Sequence, residues 1–200
     1  MLKKSLELQA LILNCNKLKK KYKNIWDVIL YGSFIRGDHN TNDIDLAILL
    51  KEETKLNKKL ELAQLLKYQL SKLVKRHIDV KVIDFSDFLD SKFLARQGII
   101  GEGYSLIDKQ FLHEKFGFKT FTIFTYFMDR LTISQKKMLY YALKGRRGQI
   151  GILKEKGMEE LKPGVIKVPI HLESEFEEML NQHRLRYKIQ TALFYSFLWI

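Results

Sequence analysis

Tyr31 to Leu50 reads YGSFIRGDHNTNDIDLAILL, and the reading of this stretch decides the fold. The run Ile25–Tyr31 before it is short, rich in β-branched and aromatic residues, and stops at Gly32, as a strand does. A second such run, Ile44–Leu50, follows the turn-forming Asp38-His39-Asn40-Thr41-Asn42. Strand side chains alternate between faces, so Asp43 and Asp45 project to one side, roughly 6.5–7 Å apart along the backbone. That spacing lets one hard cation sit between them, and Mg²⁺ prefers one or two carboxylates plus substrate phosphate oxygens. Gly32 allows close approach of the backbone to a phosphate, and Ser33 adds a hydroxyl donor at an expected helix start. Arg36, one turn on, adds a charge-assisted contact. Phosphate-holding and metal-holding features in one unit point to metal-dependent chemistry on a nucleotide.

Activating an attacking hydroxyl calls for a third carboxylate, and Asp79 is the candidate. It opens the alternating run Ile78-Asp79-Val80-Lys81-Val82-Ile83 after a long helical segment. If this strand pairs beside the second, Asp79 converges on the face of Asp43 and Asp45. Two metals about 3.5–4 Å apart would then stabilise the entering and departing oxygens of an in-line displacement. Asp79 is in that case both a metal ligand and the general base.

Gly32-Ser33, Arg36-Gly37, Asp43-Ile44-Asp45 and the later Asp79 together resemble the DNA polymerase β-type nucleotidyltransferase superfamily, and above all its minimal archaeal and bacterial domains. The resemblance spans roughly residues 20–108. Within it, Phe93-Leu94-Ala95-Arg96 and Gly101-Glu102-Gly103-Tyr104-Ser105-Leu106-Ile107 look like the family's closing helix and short last strand. It implies that Gly32 and Ser33 hold the triphosphate tail, that Asp43 and Asp45 bind Mg²⁺, and that Asp79 completes the triad. Ser33 and Asp43 stand one residue closer than is usual in the antitoxin-type members, which bears on the subfamily and not on the superfamily.

Helices alternating with strands predict an α/β (α+β) domain over 1–108, a small mixed sheet flanked by helices. The expected elements are a helix over 2–22, strands 25–31, 44–50 and 78–83, and helices from Ser33 and over 56–75 and 86–98. The first two strands are expected to be antiparallel. Residues 109–200 are expected to form a mainly helical, basic module. Phe111, Phe116, Phe118, Phe121, Phe124, Tyr126 and Phe127 are read as its core, with base stacking as the alternative. A helix over Leu131–Leu143, a turn at Pro163-Gly164, an extended segment 165–170 and a long helix over 173–198 complete the module. Its apolar end, Leu193–Ile200, needs cover from its own domain, a second subunit or a partner.

The formal charge is +12. Arg130–Lys156 holds eight basic residues and one acidic, a patch suited to phosphates or simply a solvated surface. Gly145-Arg146-Arg147-Gly148-Gln149-Ile150-Gly151 reads either as an RNA contact through Arg146 and Arg147 or as a turn. The lysines between 17 and 23 read as a helix C-terminus favoured by its dipole. The single Cys15 excludes an internal disulfide and fits a reducing compartment. No secretory signal and no run of about 18 apolar residues is present, so a cytoplasmic protein with no membrane association is expected. The histidines lack metal-ligand spacing; His39 lies in the loop between the two site elements and is a candidate substrate neighbour.

The expected function is transfer of a nucleoside monophosphate, AMP in the first instance, from a triphosphate to a hydroxyl, with pyrophosphate leaving and two Mg²⁺ ions as cofactors. The acceptor is a nucleic acid or a protein hydroxyl; minimal relatives modify a tyrosine on a HEPN-type toxin. Residues 109–200 lack the Arg-x4-His pair of HEPN ribonucleases, which disfavours a fused toxin. The alternative is a non-catalytic nucleic-acid-binding or antitoxin-like module on the same scaffold.

Overall fold

The computed structural model describes residues 6–36 and 41–195. They fall into two compact units, residues 1–118 and 119–200.

The first unit opens with helix α1 (Leu6–Lys21), which buries Leu8, Leu11, Cys15 and Leu18 on one face at helical spacing. Strands β1 (Ile25–Tyr31) and β2 (Asp43–Leu50) follow, then helix α2 (Leu56–Ser71) and strand β3 (His77–Ile83). Short helices α3 (Phe85–Leu89) and α4 (Ala95–Glu102), strand β4 (Tyr104–Ser105) and helix α5 (Leu112–Lys115) close the unit. The sheet order is β3-β2-β1-β4. β1 runs antiparallel to β2 and β4, and β3 runs parallel to β2, so the sheet is mixed.

Two cores follow from strand alternation. Val28, Leu30, Ile44, Leu46, Ile48 and Ile78 pack with α1 and α2 on one face. Ile29, Tyr31, Ala47, Leu49 and Ile83 pack with Ile99 and Leu112 on the other. The acidic positions belong to this second series, at the end of the strands beyond its apolar cover.

Two expected helices differ. From Ser33 the chain makes one hydrogen-bonded turn through Arg36, closed by the Ile35 and Arg36 amides donating to the Gly32 carbonyl. β1 and β2 are antiparallel neighbours with Tyr31 opposite Asp45, so the connection has to return to the strand it left. The helix expected over 86–98 is two helices, because Asp90 turns its carboxylate onto the Lys92 amide and breaks the run.

The second unit is not mainly helical. Strands β5 (Phe118–Phe127), β6 (Glu159–Lys162), β7 (Val165–Pro169) and β8 (Arg186–Tyr195) form a sheet of order β6-β7-β5-β8. Helices α6 (Ile133–Lys144), α7 (Ile152–Glu155) and α8 (Glu173–Gln182) accompany it. The aromatic span is a strand: Thr120, Thr122, Phe124 and Tyr126 are buried at every second position. Its buried threonines disguise the two-residue period that the rings alone do not show. The helix expected over 173–198 ends at Gln182, where Arg184 takes a left-handed φ of 53°, and β8 then adds to the edge of β5. The Gly145–Gly151 segment is a tight chain crossing. A Cβ on Gly145 would lie 2.0 Å from the Gln149 carbonyl oxygen.

Candidate functional site

β2 and β3 are paired in register, with Asp43 beside His77 and Asp45 beside Asp79. Paired residues on neighbouring strands point to the same side, so Asp43, Asp45 and Asp79 share one face at the open end of the sheet. All three are at least partly exposed. β3 is the edge strand, which leaves Asp79 open along the sheet margin.

Gly32 closes against them. Its φ of 84° lies in the region L side chains rarely adopt, and a Cβ there would sit 2.4 Å from Asp45 Oδ2. The backbone conformation therefore favours glycine, and a side chain there would push the Asp45 carboxylate aside. Ser33 Oγ hydrogen-bonds Thr41 Oγ1 at 2.9 Å, and that oxygen also accepts the Asp43 amide at 3.3 Å. Arg76 donates to the Thr41 carbonyl and lies over the Phe34 ring. The turn that follows β1 is thus tied to the strand that carries the acids.

Arg36 is placed differently from the expectation of a phosphate contact. Its guanidinium donates to both oxygens of Glu102, at 2.8 and 2.9 Å, and the Gly32 amide donates to the same carboxylate at 3.1 Å. Glu102 is buried at the end of α4, so the closing helix anchors both ends of the turn.

The electrostatics are those of crowded like charges. Burial, with Asp79 and Asp43 adding to it, raises the Asp45 pKa above the ordinary carboxylate value against the pull of Lys81 and Arg36. Lys81, two residues along β3, lies 3.1 Å from Asp79 Oδ2 and donates to the Tyr31 hydroxyl at 3.2 Å. Burial lowers its pKa, but those two bonds outweigh it and the ammonium is held above its usual range. His77 Nδ1 stands 3.3 Å from Asp43 Oδ1. Among the described residues no three His, Cys, Asp or Glu side chains are gathered closely enough to hold an ion. The carboxylates share the face while Asp79 and Asp43 are turned to nitrogen partners. The donor set still suits a hard cation: carboxylate oxygens only, partly solvated, and repelling one another.

Sequence reasoning missed Glu102, Thr41 and Lys81. The two-residue strand period already puts Lys81 on the face of Asp79; nothing local marks Glu102 or Thr41. His39 and Gly37 lie outside the described residues. Arg146 and Arg147 are exposed in the second unit, Arg146 stacked over Tyr141 at 4.7 Å and Arg147 at a φ of 50°.

Residues 14–111 match the family model described as polymerase beta, nucleotidyltransferase. The first unit belongs to this family. The chain accordingly carries a nucleotidyltransferase domain over these residues. Among solved structures, a chain from the tri-AMPylated Shewanella oneidensis HEPN toxin in complex with MNT antitoxin is 23% identical over 55% of this chain and 83% of its own, with a TM-score of 0.37. A chain from a toxin–antitoxin structure with AMP-PNP is 27% identical over 48% and 71%, with a TM-score of 0.36. One from the toxin–antitoxin MntA–HepT is 25% identical over 49% and 70%, with a TM-score of 0.34. No curated protein matches the chain. No described helix is long and apolar enough to cross a membrane.

Proposed function

We propose that this nucleotidyltransferase moves AMP from ATP to a hydroxyl of a macromolecule, with Asp43, Asp45 and Asp79 holding Mg²⁺. The observation that carries the reading is the in-register pairing of Asp45 with Asp79 beside Gly32, whose missing side chain makes room for the Asp45 carboxylate. Mg²⁺, when bound, supplies charge neutralisation for the phosphate oxygens and a template for in-line displacement. Gly32 and Ser33 receive the triphosphate tail, and Arg36, through Glu102, fixes the turn that carries them. Asp79 accepts the acceptor's hydroxyl proton as that oxygen bonds to the α-phosphorus. The bond from the α-phosphorus to its bridging oxygen breaks, and pyrophosphate leaves. A half-exposed site on an edge strand suits a hydroxyl presented by a nucleic acid or a protein better than an enclosed small molecule. The cytoplasm, where ATP and Mg²⁺ are abundant, is the setting proposed. β8, an edge strand with Ile189, Leu193 and Tyr195 exposed, is the proposed seat of a second copy or a protein partner.

The test is incubation with each of the four α-³²P nucleoside triphosphates, Mg²⁺ and cell extract. Wild type is expected to label a nuclease- or protease-sensitive product from ATP, and Asp45→Asn is expected not to. Equal labelling by both proteins, or by neither, leaves the non-catalytic binding module as the reading.

A further inference from the structure

Several lysines of the first unit line one groove. α1 and α2 lie side by side over the sheet face opposite the acids, and the groove between them carries lysines from both helices. One stretch of about 340 Å³ is lined by Lys17, Lys21 and Lys72 together with Tyr68 and Asn14, and by no carboxylate. It continues past Lys21 into a wider cleft of about 840 Å³ that adds Lys23, Lys55 and Lys58. Glu52, Glu53 and Glu61 line that far part. Among the described residues none of these six lysines has a carboxylate within ion-pair distance, whereas Lys59, Lys81, Lys115, Lys144, Lys156 and Lys167 each have one. Lys72 instead sits 3.8 Å from the centre of the exposed Tyr68 ring, and Lys21 lies over Tyr22.

Lining one groove with ammonium groups that have no internal counter-ion destabilises the fold by self-repulsion. A helix dipole accounts for the last turn of α1 and for Lys72, the residue that closes α2; it does not account for Lys17, Lys55 or Lys58. An extended polyanion does, and an exposed ring between lysines is what a base or ribose stacks on. We propose that the α1–α2 groove, centred on Lys17, Lys21, Lys72 and Tyr68, docks the phosphodiester backbone of a nucleic acid. The groove lies on the sheet face opposite the acids; α2 runs from it toward β3, whose His77, five residues after Lys72, is the strand partner of Asp43. Docking stands by itself; that it delivers an acceptor hydroxyl rests on the transfer reading above.

The experiment is fluorescence anisotropy of the full chain with a 5′-fluorescein 20-nucleotide RNA and a 20-base-pair DNA, titrated between 50 and 200 mM NaCl. The combined variant Lys17→Gln, Lys21→Gln, Lys72→Gln is expected to bind at least about tenfold more weakly and to lose roughly two to three from the log–log salt slope. Its circular dichroism is expected to match wild type and its melting to be unchanged or higher, since all three side chains are exposed and their mutual repulsion is removed. Lys136→Gln with Lys137→Gln and Arg146→Gln in the second unit is expected to retain most of the affinity. Loss confined to that second variant, no binding by wild type, or equal binding to phosphatidylglycerol vesicles or polyglutamate would each overturn the proposal. Asp45→Asn separates the two readings. RNA binding without label transfer in that variant supports both, while label transfer that survives it sinks the function and leaves the groove.

Discussion

Two sets of aspartates stand on the first unit and are treated in opposite ways. Asp27 and Asp84 are buried, at 0% and 2% exposure, and every charge is answered. Asp27 accepts from Ser105, from the Val28 amide and from Lys115. Asp84 caps α3 through the Asp87 amide, accepts from Ser86 and Thr54, and pairs with Lys59. Asp43, Asp45 and Asp79 are crowded on one face, with Lys81 as the cation between Asp79 and the Tyr31 hydroxyl. Satisfied carboxylates hold a fold together; crowded ones are kept at its expense. The comparison teaches where to look for chemistry in this chain: not at its most buried charges but at those with the least compensation.

The sharpest way to break the comparison is Asp45→Asn. Label transfer is expected to fall by about 10²–10⁴-fold, while thermal stability at pH 7 is unchanged or higher. The sign follows from the raised pKa: in the folded state ionisation of Asp45 costs free energy as pH rises through that value, and the amide removes the cost. A destabilised variant would place Asp45 with the structural set. Asp27→Ala should behave in the opposite sense. It leaves Lys115 without its buried partner and is expected to cost about 3–5 kcal/mol in a denaturant titration.

Asp84→Asn tests the same side with a pH dependence. Burial by itself would raise the Asp84 pKa, but Lys59, Ser86 and the Asp87 and Thr54 amides hold it well below the usual carboxylate range. A depressed folded-state pKa stabilises above the unfolded value and is lost as pH falls through the folded one. The variant is expected to be less stable by about 2–3 kcal/mol at pH 7. The gap to wild type is expected to narrow below about pH 4, the ordinary carboxylate pKa, in urea midpoints measured across pH. A pH-independent gap would mean that the carboxylate's charge is not what caps α3. Smallest in energy is Gly32→Ala, about 1–2 kcal/mol of backbone strain. Its loss of transfer should exceed its loss of stability, because the new methyl displaces Asp45; proportionate losses would make Gly32 a plain turn residue.

How far this was legible differs between the units. Ile25–Tyr31 and the run after Asp43 read correctly because each is a short β-branched stretch between turn formers, and that pattern is local. The mixed sheet and the closing strand at Tyr104–Ser105 follow from it. The second unit was misread twice for one reason. Phe118–Phe127 and the chain beyond Gln182 are strands at positions where ring spacing or an acidic start also suits a helix, and pairing with distant partners decides between them. β5 is fixed by β7, some forty residues later, through pairs such as Phe124 with Ile166. The gathering of Asp43, Asp45, Asp79 and Gly32 at one end of the sheet was legible, because strand alternation and a turn glycine are local signals. Glu102 was not, being far from Gly32 in sequence and brought to it by the packing of α4.

By itself the sequence determined the order of the elements in the first unit, the alternation that sets its acidic side chains on one face, and the excess of positive charge. Alternation and turn chemistry act over a few residues, so they are written locally. Only the tertiary structure decided that Asp79 stands beside Asp45, that Arg36 is held by Glu102, and that lysines from two helices line one groove. Each depends on which strands and helices pack together, and contacts between residues far apart in the chain leave no local mark.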